Sequence, residues 1–529
     1  MNSCYYYKKE TINHDPQEYT SQVVIYGATS AAITTAVQLK RLGKECIIVE
    51  PTNHIGGMTT SGLSATDLGS EHAIGGISKE FYTKISTHYQ KEKEYNFEPK
   101  VVQNLLNDWL EEYQIPVYLK QPLKEVVKEN GTIKRIVTEA GATFTADLFI
   151  DTSYEGDLMA KAGISYRVGR ESNATYKETY NGIQFKEQHH KFERWIDPYI
   201  QEGNPASGLL PGIQDLTLEE LGYNGKSDHS IQAYNFRITL TTDEENKVSF
   251  PKPDNYDPDQ YLLLLRYIYA GHWDAMNLNT KLPNGKWDLN NYGAFSTDYI
   301  GMNYEWPDGD NETREKIYQD HLTYNQGLLY FLANDTRVPK SIRDEVNQFG
   351  LPKDEYEETN HWPPQLYIRE ARRMISDYIM TDHNCLRQEE APEPIALASY
   401  HMDSHNCRRF VIDGRVVNEG DVEIPVSPFS ISYQSIRPKK EECTNLLVPV
   451  CLASSHIAYG SIRMEPIFMI LGQSAAIAAS VAIDEQVNVQ DVPYEQLRNE
   501  LLKHGQVVEW DPAIKDDPVA RMKETFGKE

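Results

Sequence analysis

The stretch VVIYGATSAAITTAVQLKRLGKECIIVE, residues 23–50, decides the fold. Residues 23–26 are a β-branched and aromatic run suited to a buried strand, and Gly27 breaks it where a tight turn needs a residue tolerant of unusual φ. Ile33, Ala36, Val37 and Lys40 then fall at helical spacing, and Gly43 follows Leu42 as a C-terminal stop. Residues 46–49 form a second strand ending at Glu50, 23 residues beyond Gly27, where an acidic side chain binds the ribose hydroxyls of a dinucleotide. The spacing predicts a β-α-β unit. Against the pattern G-x-G-x-x-G, Thr29 and Ala32 replace the second and third glycines. The Thr29 hydroxyl and the free N–H groups of the helix N-terminus remain as anion donors. Read alone, the stretch leaves a nucleotide site and a plain strand-turn-helix of another α/β core both open.

Three further stretches bear on that choice. HIGGMTTSGLS, residues 54–64, puts Gly56, Gly57, Ser61 and Gly62 directly after the acidic strand end, as a second loop of backbone N–H donors. LKEVVKENGTIKRIVTEAGATFTADLFIDT, residues 123–152, alternates as a strand meander with turns at Asn130-Gly131 and Ala140-Gly141, and its last strand ends in Asp151-Thr152. Near the C-terminus residues 446–450 read as a buried strand. Pro466 then opens a helix on which Gly472, Ala475, Ala476 and Ala479 make a small-residue face that permits close approach.

Together YGATSAA, HIGGMTTSGLS, DTSYEGDLM and SSHIAYGSIRMEPIFMILGQ resemble the FAD-dependent oxidoreductase family of glutathione-reductase-like, two-dinucleotide-binding-domain flavoproteins. SGLLPGIQ, QAYNFRITL and YHMDSH add to the resemblance, which covers most of the chain. It implies FAD as cofactor and an α/β fold: a discontinuous Rossmann-like FAD-binding domain with an inserted α+β substrate domain. The expected FAD-binding parts are residues 20–170 and 440–485, with a substrate domain at 171–439 and a tail at 486–529 packed on the body. Carried onto this chain, the cofactor contacts are Gly27, Ala28, Thr29, Ser30 and Ala31 at the turn, then Glu50 and Pro51. Gly56, Gly57, Met58 and Ser61 follow in the loop, Val126 in the meander, Thr152 and Tyr154 after it, and Arg463 and Met464 before the last helix. The chain departs from the family in having Val450-Cys451 where a Gly-Asp pair commonly precedes that helix.

Composition limits the alternatives. At 529 residues the chain exceeds the size of a single growing core, and 40% hydrophobic with 11% aromatic residues is ample for a packed interior. A formal charge of -26 argues against nucleic acid as a partner. No uninterrupted apolar run approaches the roughly 20 residues of a membrane span, so none is expected. The six cysteines are scattered without a C-x-x-C pair, which points to buried thiols. Cys4 is also compatible with the remnant of a lipid-modified N-terminus whose leader is missing; a cytoplasmic location is the default.

In the middle segment, helices are expected at 315–333 and 339–349. His401, Asp403 and His405 alternate in YHMDSH and would share one face of a strand, contacting substrate, with no metal assigned. Arg369 in YIREARRM is a further substrate-binding candidate, as a carboxylate or sugar ligand. For chemistry the candidates are His456 for proton transfer, Arg463 to stabilise a reduced flavin anion, and Glu465 to shuttle a proton or cap the helix. The expected reaction passes a hydride from a small polar substrate to flavin N5. Abundant Tyr, Trp, Asn and Asp favour a carbohydrate-like molecule. A flavoenzyme without net redox, and a noncatalytic carbohydrate-binding protein on a decayed nucleotide fold, stay open beside it.

Overall fold

The structure, a computed structural model, describes residues 4–14, 16–185, 189–276, 278 and 280–526. Strand β1 (Glu18–Tyr26) leads through helix α1 (Ser30–Arg41) into β2 (Cys46–Val49), as the apolar spacing dictates. Helices α2 (Gly76–His88) and α3 (Pro99–Glu112) precede β3 (Val117–Tyr118), and the meander follows as β4 (Leu123–Glu129), β5 (Thr132–Thr138) and β6 (Thr143–Asp151). At the β4–β5 turn Asn130 and Gly131 take φ of 51° and 77°, the paired positive values that a two-residue hairpin turn demands.

These strands form one sheet in the order β3-β2-β1-β6-β5-β4, in which β1 runs parallel to both β2 and β6. Far along the chain β7 (Leu446–Leu447) returns to this sheet and pairs in parallel with Phe149 and Ile150 of β6. The sheet is therefore mixed α/β and is completed by a segment some three hundred residues away. The strand expected over 446–450 is only two residues long, because Val448 N–H turns away to the Ile436 carbonyl at 2.7 Å.

After β7 come α4 (His456–Ile462) and α5 (Glu465–Glu485), with Pro466 in the first turn of α5. The small-residue face of α5 lies against α1: Thr34 Oγ1 donates to the Met469 carbonyl at 3.0 Å and Thr35 Oγ1 to that of Gly472 at 2.9 Å. A Cβ on Gly472 would sit 2.4 Å from the Ala31 carbonyl oxygen, so glycine sets the closeness of this crossing. By length and composition α5 is apolar enough to cross a membrane, yet 94% of its apolar window is buried inside the protein.

The middle segment mixes short strands and helices. Ile238–Thr241, Thr280–Lys281 and Lys286–Leu289 form a three-stranded antiparallel sheet, and Met402–Ser404 pairs with Val422–Ile424. The long helix spans Asn311–Asn334, beginning a turn earlier than expected because the Asp310 carboxylate accepts Thr313 N–H at 2.8 Å. The second helix, Lys340–Val346, is shorter than the expected 339–349. All six cysteines are free and buried; Cys4 Sγ lies 2.6 Å from Tyr318 Oη, and burial pushes its pKa up to about 12.

Candidate active site

The carboxyl ends of β1, β2 and β6 lie level, since Tyr26 pairs with both Val49 and Asp151. Ligands of open α/β sheets bind beyond this edge. Gly27 opens the turn with φ +93°, and a Cβ there would lie 2.7 Å from Ser153 N. Thr152 Oγ1 donates to the Gly27 carbonyl at 2.7 Å, which docks the turn on the exit from β6. Thr29 precedes α1 without making a side-chain cap. Its hydroxyl donates to the Thr152 carbonyl at 2.9 Å rather than standing ready for a phosphate as expected, so the anion donors left at this helix start are backbone N–H groups.

Glu50 is buried at the end of β2. Its carboxylate accepts Ala28 N–H at 2.5 Å, Thr52 N–H at 2.7 Å and Thr52 Oγ1 at 2.5 Å. Burial raises its pKa despite these donors. Gly27, Ala28, Thr29, Pro51, Gly57 and Tyr154 line one cleft with it.

The double glycine continues that cleft. Gly56 N–H donates to the Ala28 carbonyl at 2.7 Å, with φ +94°, and Gly57 follows at φ +58°. A Cβ on Gly57 would stand 2.3 Å from Tyr154 Oη, so Tyr154 excludes any side chain there. Met58 N–H donates to the same hydroxyl at 3.0 Å. Ser61 Oγ sits 2.6 Å from Nε2 of His54, which burial holds neutral by lowering its pKa to about 4.

Glu465, first residue of α5, ties these pieces together. Its carboxylate accepts Ser30 Oγ and Thr59 Oγ1 at 2.5 Å each and Tyr154 Oη at 2.7 Å, joining the start of α1, the glycine loop and the exit from β6. Burial raises its pKa, and these three hydroxyls only partly oppose that. Arg463, two residues earlier, points elsewhere. Its NH2 pairs with Asp403 Oδ2 at 3.0 Å and its NH1 donates to Tyr367 Oη at 3.2 Å, so its ionic partner is Asp403 and not Glu465. Burial pulls the Arg463 pKa down, but Tyr367 and Asp403 outweigh it and the guanidinium stays charged. Arg463, Met464 and Glu465 line a second cleft with Thr59, Asp67 and Tyr367.

Asp67 and Tyr367 also line a polar chamber of about 100 Å³, which therefore adjoins the Arg463 cleft. Into it face Asp403 and His405 of the expected substrate set, together with Arg237, Asp288, His190 and Tyr400. Arg237 forms a two-point pair with Asp288, including Nε to Oδ1 at 3.1 Å. Sequence reading missed this pair, although Arg237 sits in QAYNFRITL, one of the stretches that carried the family resemblance.

The other candidates lie apart. His401 does not line the chamber with Asp403 and His405: the strand covers only Met402–Ser404, and His401, tilted against Tyr400 with centroids 4.0 Å apart, lines a cavity beside Arg521 that shares Asp67 and Tyr400 with the chamber. Arg369 is buried behind the chamber, paired with Asp298 at 2.9 Å and lying 4.5 Å over the Tyr367 ring. His456 is locked between Glu370, 2.8 Å from Nδ1, and Ser404, 3.1 Å from Nε2, and lines none of these cavities. Val126 lies in β4, half-buried and outside the cleft lining.

The first cleft fits a dinucleotide such as FAD. Its glycines stand where a Cβ would collide, the α1 start carries no side-chain cap, and a carboxylate closes β2. Among solved structures, L-proline dehydrogenase from P. horikoshii is similar at 16% identity, over 29% of this chain and 59% of that one, with a TM-score of 0.24. L-amino acid deaminase from Proteus vulgaris is similar at 13% identity, over 31% of this chain and 54% of that one, with a TM-score of 0.22. Thioredoxin reductase from T. acidophilum is similar at 17% identity, over 30% and 40%, with a TM-score of 0.18. The chain thus spans less than two thirds of the length of each of these three solved structures. No curated protein matches. The family model described as FAD dependent oxidoreductase matches residues 22–501. The chain belongs to this family of FAD-dependent oxidoreductases.

Proposed function

We propose that this enzyme oxidises a neutral, polyhydroxylated small molecule of carbohydrate type at a carbon bearing a hydroxyl group. The observation that carries this reading is the pairing inside the chamber. Arg237, which lines the chamber, is already matched by Asp288, and Arg463, which lines the adjoining cleft, is matched by Asp403 of the chamber. An anionic substrate would find its cationic partners taken, whereas hydroxyl groups donate to carboxylates and accept from guanidinium N–H groups at once. Tyr292, Tyr367 and Tyr400 supply aromatic surface for the apolar face of a sugar ring.

FAD, when bound, supplies a two-electron acceptor for the hydride. The protein's part is to hold the substrate carbon toward the Arg463 cleft and to keep permanent positive charge near it, which favours developing negative charge. We assign residues 20–170 and 440–485 to cofactor binding and 171–439 to substrate binding. Anaerobic addition of aldohexoses, aldopentoses and alditols to the FAD-loaded protein tests the reading. Loss of the visible flavin band with at least one of them is expected, and a band that persists with all would refute it.

A further inference from the structure

Acidic and basic side chains alternate in a row beside the chamber, and two of them, Asp403 and His405, line it. Arg369 NH1 lies 2.9 Å from Asp298 Oδ1, and Asp298 Oδ2 lies 3.0 Å from His405 Nδ1. His405 Nε2 lies 3.4 Å from Asp403 Oδ2, which in turn lies 3.0 Å from Arg463 NH2. The row crosses from the middle segment to the junction of α4 and α5. Burial pushes both carboxyl pKa values up, but Arg369 and His405 hold Asp298 below the ordinary range, and His405 and Arg463 do the same for Asp403.

We infer that His405 accepts the proton of the substrate hydroxyl, with Asp298 and Asp403 as the residues that position it; this rests on the reading above of a hydroxylated substrate. Two anions fixed by arginines leave the imidazole one arrangement. The bond to Asp298 puts the hydrogen of neutral His405 on Nδ1, so the Nε2 lone pair faces the chamber. That lone pair lies beside a carboxylate oxygen at a distance too long for a good hydrogen bond, and gaining a proton turns an unfavourable contact into a charge-assisted one. His405 backbone N–H donates to Gln232 Oε1 at 3.1 Å, which fixes the main chain behind the ring. The side chain is only 8% exposed, so solvent competes little for Nε2.

With FAD bound, the cofactor would supply the acceptor for the hydride released as the substrate C–H bond breaks. The O–H proton would pass to His405 Nε2 as the C=O bond forms, so the two electrons lost by the substrate are the two that the cofactor would take up. No other oxidant enters the balance.

The groups that face His405 are Asp298, Asp403 and the parallel ring of His190, 6.1 Å away between centroids. Arg369 and Arg463 stand behind the two aspartates, and Asp421 and Glu423 beyond His190. The test measures the limiting rate of anaerobic flavin reduction by the same sugars and alditols, across pH, in FAD-saturated holoenzyme. His405→Gln is expected to lower this rate by about 10²- to 10⁴-fold, with FAD content and the oxidised spectrum unchanged, and to abolish the rise of rate with pH. Free imidazole is expected to restore part of the rate to His405→Ala, which a merely structural role would not allow. Asp298→Asn, lacking the supporting anion, is expected to move the pH rise to lower values. A His405→Gln enzyme that reduces as fast as the wild type, or His405 variants that lose FAD and gain nothing from imidazole, would overturn the assignment while leaving the substrate reading intact. Failure of every sugar and alditol to bleach the wild type would overturn the substrate reading and the assignment with it.

Discussion

The cofactor cleft and the polar chamber are built from different materials. The cleft is made of backbone: left-handed glycines at 27, 56 and 57, the start of α1, and hydroxyls converging on Glu465. The chamber is made of side chains in opposed pairs, Arg237 with Asp288, Arg463 with Asp403, and His405 between two aspartates. Backbone binding asks for the absence of side chains and serves a ligand whose phosphates do not vary. Paired side chains fix hydroxyl directions and so carry selectivity. A substitution in the cleft should therefore act on cofactor retention, and one in the chamber on rate.

The largest effect is expected from Gly57→Val. It adds the strain of a branched residue at φ +58°, and its Cβ meets Tyr154 Oη at 2.3 Å. The folded variant should purify without FAD, measured as flavin released on denaturation. Retention of one FAD per chain would remove the double glycine from the site.

Arg463→Met should come next, slowing flavin reduction by roughly 100-fold in FAD-saturated protein. It also leaves the partly buried Asp403 carboxylate with His405 as its charged-pair neighbour, so a loss of stability is expected as well. The double variant Arg463→Met with Asp403→Asn separates the two effects. It should recover most of the stability in denaturant melts and little of the rate. Recovery of both would make Arg463 only a structural partner of Asp403.

A smaller effect is expected at Glu465. Its pKa is raised in the folded state, so its contribution to stability is fully present below its ordinary value of about 4.5 and is lost as pH rises through the raised value. Glu465→Gln keeps an acceptor but removes this titration. Its melting temperature should therefore fall less than that of the wild type between pH 4.5 and neutrality. Parallel curves for the two proteins would show that Glu465 does not carry the effect. The smallest effect is expected from salt. If the chamber receives a neutral substrate, raising ionic strength from about 0.1 M to 1 M should leave the substrate concentration for half-maximal reduction nearly unchanged. A several-fold weakening would point to a charged substrate.

The difference in materials also explains what was legible in the sequence. Gly27, Glu50, Gly56 and Gly57 lie within about thirty residues of each other and answer to local backbone demands, so spacing singled them out and the family resemblance assigned them to the cofactor. The meander and the Pro466 helix followed from turn chemistry and composition. The chamber joins Asp67, Arg237, Asp288, Asp403 and His405, which no local rule brings together. Arg463 and Glu465 are two residues apart and invite pairing, but the break between α4 and α5 sends one to Asp403 and the other back to Ser30. The alternation of His401, Asp403 and His405 promised a shared face, and the ladder of three residues was too short to impose it on His401.

The measurement that tests the central claim most directly is the yield of carbonyl product per flavin bleached when FAD-loaded protein meets a hydroxylated sugar without oxygen. The account predicts one carbonyl formed for each FAD reduced. A sugar that binds, by calorimetry, while the flavin band stays intact and no carbonyl appears would contradict it.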